Sequence, residues 1–220
     1  MTHVSIGKEL KQKRPEMALG IITCKIVNTD YDDELWEEIR KTVQEIRNNY
    51  ALSTIKNQTN IKATREIYKA CGKDPNRYRP SAESLYRRIL KNSHLYQINT
   101  IVDLVNLISL KTGYSIGGFD SDKIEWPVKA GIGFSGEPYH GIGRGEMNIE
   151  NLPVIRDKKG AIGTPTSDEE RTAISSNTQS FFMNINGYTG PEPLKEALEE
   201  SEKYLVRFLQ AEKVRMEIVR

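Results

Sequence analysis

Apolar positions in the first half of the chain recur mostly at helical spacing, and those in the second half fall in short runs broken by glycine. Met17 to Val27 is rich in β-branched residues and predicts a strand. Leu35, Ile39, Val43 and Ile46 then repeat every three to four residues behind Asp32 and Asp33, predicting a capped helix. A second helix carries Ile61, Ile67 and Cys71 and stops at Gly72. Pro80-Ser81 opens a third, with Leu85, Ile89 and Leu90 on it and Ser81 as the expected N-cap. Between Asn99 and Thr112, residues Ile101, Val102, Leu104, Val105, Leu107 and Ile108 cover most of a helix's circumference, which implies burial on nearly all sides. Beyond Gly113 the β-like runs Ile124–Val128, Leu152–Arg156 and Gln179–Ile185 suggest hairpins. Pro191 and Pro193 precede a final helix expected to reach Arg220, with Leu194, Leu198, Leu205, Phe208 and Leu209 as its stripe. Residues 1–15 are polar and basic and read as a loosely held arm. Residues 16–220, without repeat or linker, read as one α+β domain.

Composition narrows the class. With 220 residues, 37% hydrophobic and 28% charged, the chain falls in the range of soluble globular proteins, and collagen-like and low-complexity classes are excluded. No window approaches the length of uncharged apolar chain that a membrane span needs. The basic start has no apolar segment behind it, so it does not read as a secretory signal. Lys and Arg total 32 against 30 acids, a net charge of +2, which gives no electrostatic argument for strong non-specific nucleic-acid binding and none against a small local contact. The two cysteines, Cys24 and Cys71, form no CxxC pair; a disulfide scaffold and a cysteine zinc site are excluded, and a reducing cytoplasm fits.

Candidate chemistry starts on the apolar helix. Asn99, Asp103 and Asn106 share one face of it. A buried carboxylate costs several kcal/mol, on the order of its desolvation penalty, unless hydrogen bonds satisfy it. Asn99 then caps the helix while Asp103 and Asn106 pin neighbouring backbone, or the stripe faces a ligand; both hold if it pins the pocket's own loop. Gly117-Gly118-Phe119-Asp120 reads either as a tight turn or as a pocket wall. Gly131 to Gly136 matches GxGxxG, but Glu137-Pro138 and further glycines follow where a nucleotide site needs a helix N-terminus, so the match is rejected. His3, His94 and His140 are scattered, and neither HExxH nor GxSxG occurs. The hydroxyl-rich loop Gly163–Thr172, continuing to Thr178, offers Thr164 as a ligand contact, and Arg77, Arg79, Arg87 and Arg88 form a local basic patch.

Read together, these segments resemble one family. Asn99-x-x-Val102-Asp103-x-x-Asn106, then Gly113, then Phe119-Asp120-x-Asp122-Lys123-Ile124 is similar to a stretch of the B3/B4 domain in the β subunit of bacterial phenylalanyl-tRNA synthetase. Arg79-Pro80-Ser81-Ala-Glu83-x-Leu85-x-Arg87-Arg88 resembles the opening of stand-alone proteins built from that domain alone. Gly136-Glu137 and Thr178-Gln-Ser-Phe-Phe182 match its later β segments.

The resemblance implies a three-layer β-sandwich with flanking helices and a tRNA-editing module, one that hydrolyses the ester of mischarged tRNA. With the readings above, the candidate substrate-binding residues are Asn99, Asp103, Asn106, Gly117, Gly118, Phe119, Asp120, Thr164 and Asn184, and the basic patch offers Arg79, Arg87 and Arg88 as RNA contacts. The expected partner is an aminoacylated tRNA 3′ end or a small amino-acid-like ligand, with no cofactor, metal, DNA or membrane. The chain is too short to hold a synthetase catalytic domain as well. Two positions depart from the family pattern. Gly117 stands where a histidine is found, and Asn184 (or, with a two-residue shift, Asn186) where a glutamate is found. Losing both removes the clearest acid–base group and a carboxylate for a polar substrate group. Two expectations therefore stand side by side: a free-standing aminoacyl-tRNA deacylase acting in trans, and a non-catalytic RNA- or amino-acid-binding module. The missing imidazole is further expected to leave room beside Phe119 and Asp120.

Overall fold

The computed structural model describes residues 3–220. Along the chain run β1 (Val4–Ile6), α1 (Lys8–Lys13), β2 (Ala18–Lys25), α2 (Asp33–Asn49), α3 (Thr59–Ala70), α4 (Ser81–Leu90) and α5 (Thr100–Thr112). There follow β3 (Ile116–Asp120), β4 (Val128–Ile132), β5 (His140–Gly141), β6 (Gly145–Glu146), β7 (Pro153–Arg156), β8 (Ala161–Gly163), β9 (Ser180–Gly187), α6 (Glu192–Leu209) and β10 (Glu212–Val219). Two four-stranded sheets form, in the orders β1-β4-β7-β8 and β10-β2-β9-β3. All pairings are antiparallel except β1 on β4.

Alternation along the strands builds the layers. In β2, Leu19 and Ile21 face the other sheet, while Ala18, Ile22 and Cys24 face helices. In β9, Phe182 points between the sheets, and Phe181, Met183 and Ile185 point at α5 and α6. The result is sheet on sheet on helices, an α+β sandwich flanked by helices as expected. A smaller apolar cluster, with Ile46, Tyr86, Ile89 and Leu110, ties α4 to α2 and α5.

Helix ends follow local chemistry. Asp32 accepts from the Leu35 N–H at 2.7 Å and starts α2, and Asn99 accepts from the Val102 N–H at 3.0 Å and starts α5. Gly113, at φ 74°, closes α5 in the left-handed conformation.

Four expectations need correction. Residues 4–13 are not a loose arm: β1 pairs with β4, and Leu10 of α1 is buried in the intersheet core. Ser81 does not cap α4; it is the first helical residue, and its N–H donates to the Pro165 carbonyl at 2.7 Å. The last helix ends at Leu209, and residues 212–219 form an edge strand against β2. The segment Gly117–Asp120 is a strand rather than a turn, because β9 supplies it with a hydrogen-bonding partner.

Candidate functional site

β3 is an edge strand, and its helix-facing side is only partly covered. Gly118 lies on that side; a Cβ there would touch Ile174, Phe181 and Val105 at 3.3 Å. The uncovered part forms a cavity of about 550 Å³ between α4, α5, β3 and the loops around residues 142–144 and 166–174. Its walls are mainly apolar, with Leu85, Ile98, Val102, Val105, Ile116 and Ile174 among them. Ser81, Ser84, Asn106, Ser109 and Thr166 add neutral polar groups. Three charged side chains reach it: Arg88, Arg144 and Asp168. A mainly apolar concavity with a few convergent polar groups has the character of a small-ligand site.

Asp168 sits at the base of this cavity. One carboxylate oxygen accepts from the Gly118 N–H at 3.2 Å. The other lies 3.3 Å from the point where a Cβ of Gly117 would be. Burial pushes its carboxyl up to about 7, and the Gly118 hydrogen bond opposes that rise only in part. The group therefore exchanges a proton near neutrality. Arg88 is held in place: its guanidinium donates to the His94 carbonyl and lies 3.8 Å from the centre of the Tyr96 ring. Arg144 is exposed on the β5–β6 hairpin and makes no ion pair among the described residues.

The residues singled out from the sequence separate into groups. Asn106, Gly118 and Arg88 line the cavity. Asn99 caps α5. Asp103 is buried, and its carboxylate accepts from the Trp36 indole N–H at 2.9 Å and the Ile98 N–H at 3.0 Å. It thus pins the segment that carries Ile98 into the cavity wall. Burial raises its carboxyl, against those two hydrogen bonds.

Asp120 is buried at the far end of β3, where it accepts from the Thr178 hydroxyl at 2.9 Å and the Asp122 N–H at 3.1 Å. Thr164 closes a local turn, accepting from the N–H groups of Thr166 and Ser167 at 3.1 Å. Gly117, Phe119 and Asn184 belong to the intersheet side of β3 and β9 and not to the cavity. The expected room beside Gly117 is absent, since the Phe119 ring fills it and would lie 2.7 Å from an added Cβ. Asn184 donates to Asn186 at 3.1 Å, and Asn186 in turn donates to the Ser115 carbonyl at 2.9 Å. Arg79 and Arg87 turn away from the cavity toward Glu83.

Sequence reasoning missed Asp168, Tyr96 and Arg144. Asp168 stands in the hydroxyl-rich loop beside Glu169 and Glu170, and nothing local distinguishes it from them. Only the fold, by placing it against Gly118, sets it apart. Among the described residues no cluster of His, Cys, Asp and Glu is arranged to hold a metal ion. No described helix is long and apolar enough to cross a membrane.

The fold is similar to the crystal structure of an N-terminal fragment of the phenylalanyl-tRNA synthetase β subunit from Pyrococcus horikoshii, with a TM-score of 0.52 and 17% identity. The likeness covers 97% of this chain and 50% of that one, so the chain spans about half the length of its structural relative. No curated protein matches the sequence. The family model of the B3/4 domain matches residues 63–209, a segment that holds α4, α5, β3 and every residue of the cavity. The chain belongs to the B3/4 domain family.

Proposed function

We propose that this domain, related by family and fold to the tRNA synthetases, hydrolyses the ester of mischarged tRNA in trans. The observation that carries the reading is Asp168, whose carboxyl burial pushes up to about 7, in the lining of a cavity whose walls suit an amino-acid side chain. In this reading the aminoacyl side chain packs on Val102, Val105, Ile116 and Ile174, and the terminal phosphate meets Arg88 and Arg144. Asp168 takes a proton from water as the water oxygen bonds to the ester carbonyl carbon. The carbon–oxygen bond to the ribose then breaks, and the proton returns to the ribose oxygen. Free amino acid and deacylated tRNA leave. A pKa near the working pH suits both halves of that exchange.

Gly117 does not exclude this chemistry, because Asp168 supplies an acid–base group next to the position where the histidine of the family pattern would start. The loss of that histidine and of the glutamate is what favours the second reading, a binding module without turnover. A panel of misacylated tRNAs separates the two. The deacylase reading expects amino-acid release that rises with pH through about 7, and Asp168→Asn, which keeps the size of the side chain, lowers the rate about 10²–10⁴-fold. Release from no tRNA above the uncatalysed rate removes the deacylase and leaves the binding module.

A further inference from the structure

α4 carries two different faces. Ser81, Ser84, Leu85 and Arg88 look into the cavity, while Glu83 and Arg87, continued one turn back by Arg79, point the other way. On that opposite side lies a second, open cleft, which Lys56, Arg65 and Asn76 complete. Its charge is one-sided. A single carboxylate, Glu83, serves three guanidiniums: Arg65 at 2.8 Å, Arg79 at 3.6 Å and Arg87 at 3.8 Å. The Glu83 side chain is 3% exposed, so it works as an internal anchor. Arg65, 13% exposed, is spent on it and on Asn76. Arg79 and Arg87 keep 39% and 28% of their side chains open, and Lys56 is exposed without an ion pair among the described residues. The Arg79 Nε, shielded from solvent, faces the Glu83 carboxylate at 3.6 Å, just beyond hydrogen-bond distance. That leaves the outer N–H groups of the Arg79 guanidinium for an incoming oxygen.

We propose that this cleft binds phosphodiester groups of RNA, with Arg79, Arg87 and Lys56 as the contacts and Glu83 and Arg65 as the frame that aims them. Guanidinium forks suit phosphate oxygens, and the surplus of basic groups, Lys56, Arg65, Arg79 and Arg87 against the buried Glu83 alone, suits a short stretch of backbone. The cleft and the cavity lie on two sides of one helix, about 10–12 Å across with its side chains, so one strand can bridge them. The RNA chemistry rests on the proposed deacylase or RNA-binding function, but the cleft is tested without turnover.

The measurement is fluorescence anisotropy of the full chain with an uncharged RNA hairpin that mimics a tRNA acceptor stem, titrated over a range of salt concentrations. Arg79→Gln with Arg87→Gln, and separately the exposed Lys56→Glu, are expected to weaken binding at least tenfold, and the double variant to flatten the salt slope by about 1.4–1.8. Binding of a 3′-aminoacyl-adenosine analogue, which reaches only the cavity, stays unchanged in the same variants. Hairpin binding unaffected by both Lys56→Glu and the double variant overturns the proposal, as does tighter binding of polyglutamate than of RNA. Loss of RNA binding together with loss of the analogue means that the fold has been damaged, and the charge-preserving Arg79→Lys must then retain RNA affinity or the proposal fails. A cleft that binds RNA while no tRNA is deacylated refutes the deacylase and leaves the cleft standing.

Discussion

The ring of Phe119 lies in a slot kept open by two glycines. A Cβ on Gly117 would come within 2.7 Å of the ring, and one on Gly163 within 2.6 Å. Phe119 in turn stacks on Phe182 at 5.7 Å between centroids, so it has little freedom to move aside. Gly117 lies outside the left-handed region, and its need is for space rather than for backbone conformation. Gly117→Ala is therefore expected to cost about 1–3 kcal/mol through overpacking. It also pushes on the Asp168 carboxylate, 3.3 Å away, and so is expected to weaken the proposed hydrolysis beyond its effect on stability. Urea unfolding checks the first part; an unchanged midpoint means that Phe119 turns away freely and the slot is not tight. The polar stripe on the apolar helix was legible from sequence because period and burial fix its surroundings: Asn99 caps its own helix and Asp103 takes one partner from the preceding loop, although its second, Trp36 on α2, was not foreseeable. Asp168 was not legible, because its partner Gly118 is distant in sequence and its environment comes from tertiary packing.

Among the elements, the helices with a clear stripe and a stop signal were readable. Asp32 opens α2, and Gly72 and Gly113, both at positive φ, follow α3 and α5. Two of the misread elements lacked such marks. β3 contains paired glycines and an aspartate, which read locally as a turn, and only its pairing with β9 makes it a strand. The end of α6 is set by Gln210 at φ 49° and ψ 42°, a conformation that glutamine does not advertise. Beyond it, Val214 and Ile218 alternate with charged residues and pack against the helical core, a period of two that the preceding helical stripe obscured. A left-handed non-glycine residue costs on the order of 1 kcal/mol. Gln210→Gly is accordingly expected to raise Tm by about 2–4 °C, the shift for ~1 kcal/mol in a chain of this size. Thermal unfolding reads it, and a lower Tm means that the Gln210 side chain holds the α6–β10 corner.

At the scale of the whole molecule, nearly balanced charge conceals carboxyls, Asp103 and Asp157 buried and Asp168 half-buried, whose proton affinities differ in direction. Asp168 and Asp103 are raised by burial, whereas Asp157 is lowered: the Arg171 ion pair at 2.9 Å and the N–H groups of Glu125 and Lys159 outweigh its burial. These act oppositely on stability. A raised carboxyl binds more protons in the folded state than in the unfolded one, so its contribution is present at low pH and is lost as pH rises through the folded value. A lowered one contributes above its unfolded value and loses that contribution as pH falls. For Asp168 the window runs from about 4 to about 7, and the proposed base becomes active at its upper end. The burial that would suit Asp168 to the proposed acid–base role thus costs stability at neutral pH. Asp168→Asn cannot ionise and should remove that part of the pH dependence. Comparing urea unfolding at pH 5.5 and 7.5, the wild type should lose about 1–2 kcal/mol more than the variant, a figure that allows for solvent entering the open cavity. Equal losses in the two proteins would place the Asp168 carboxylate in water at all these pH values, and the acid–base assignment would fall with it.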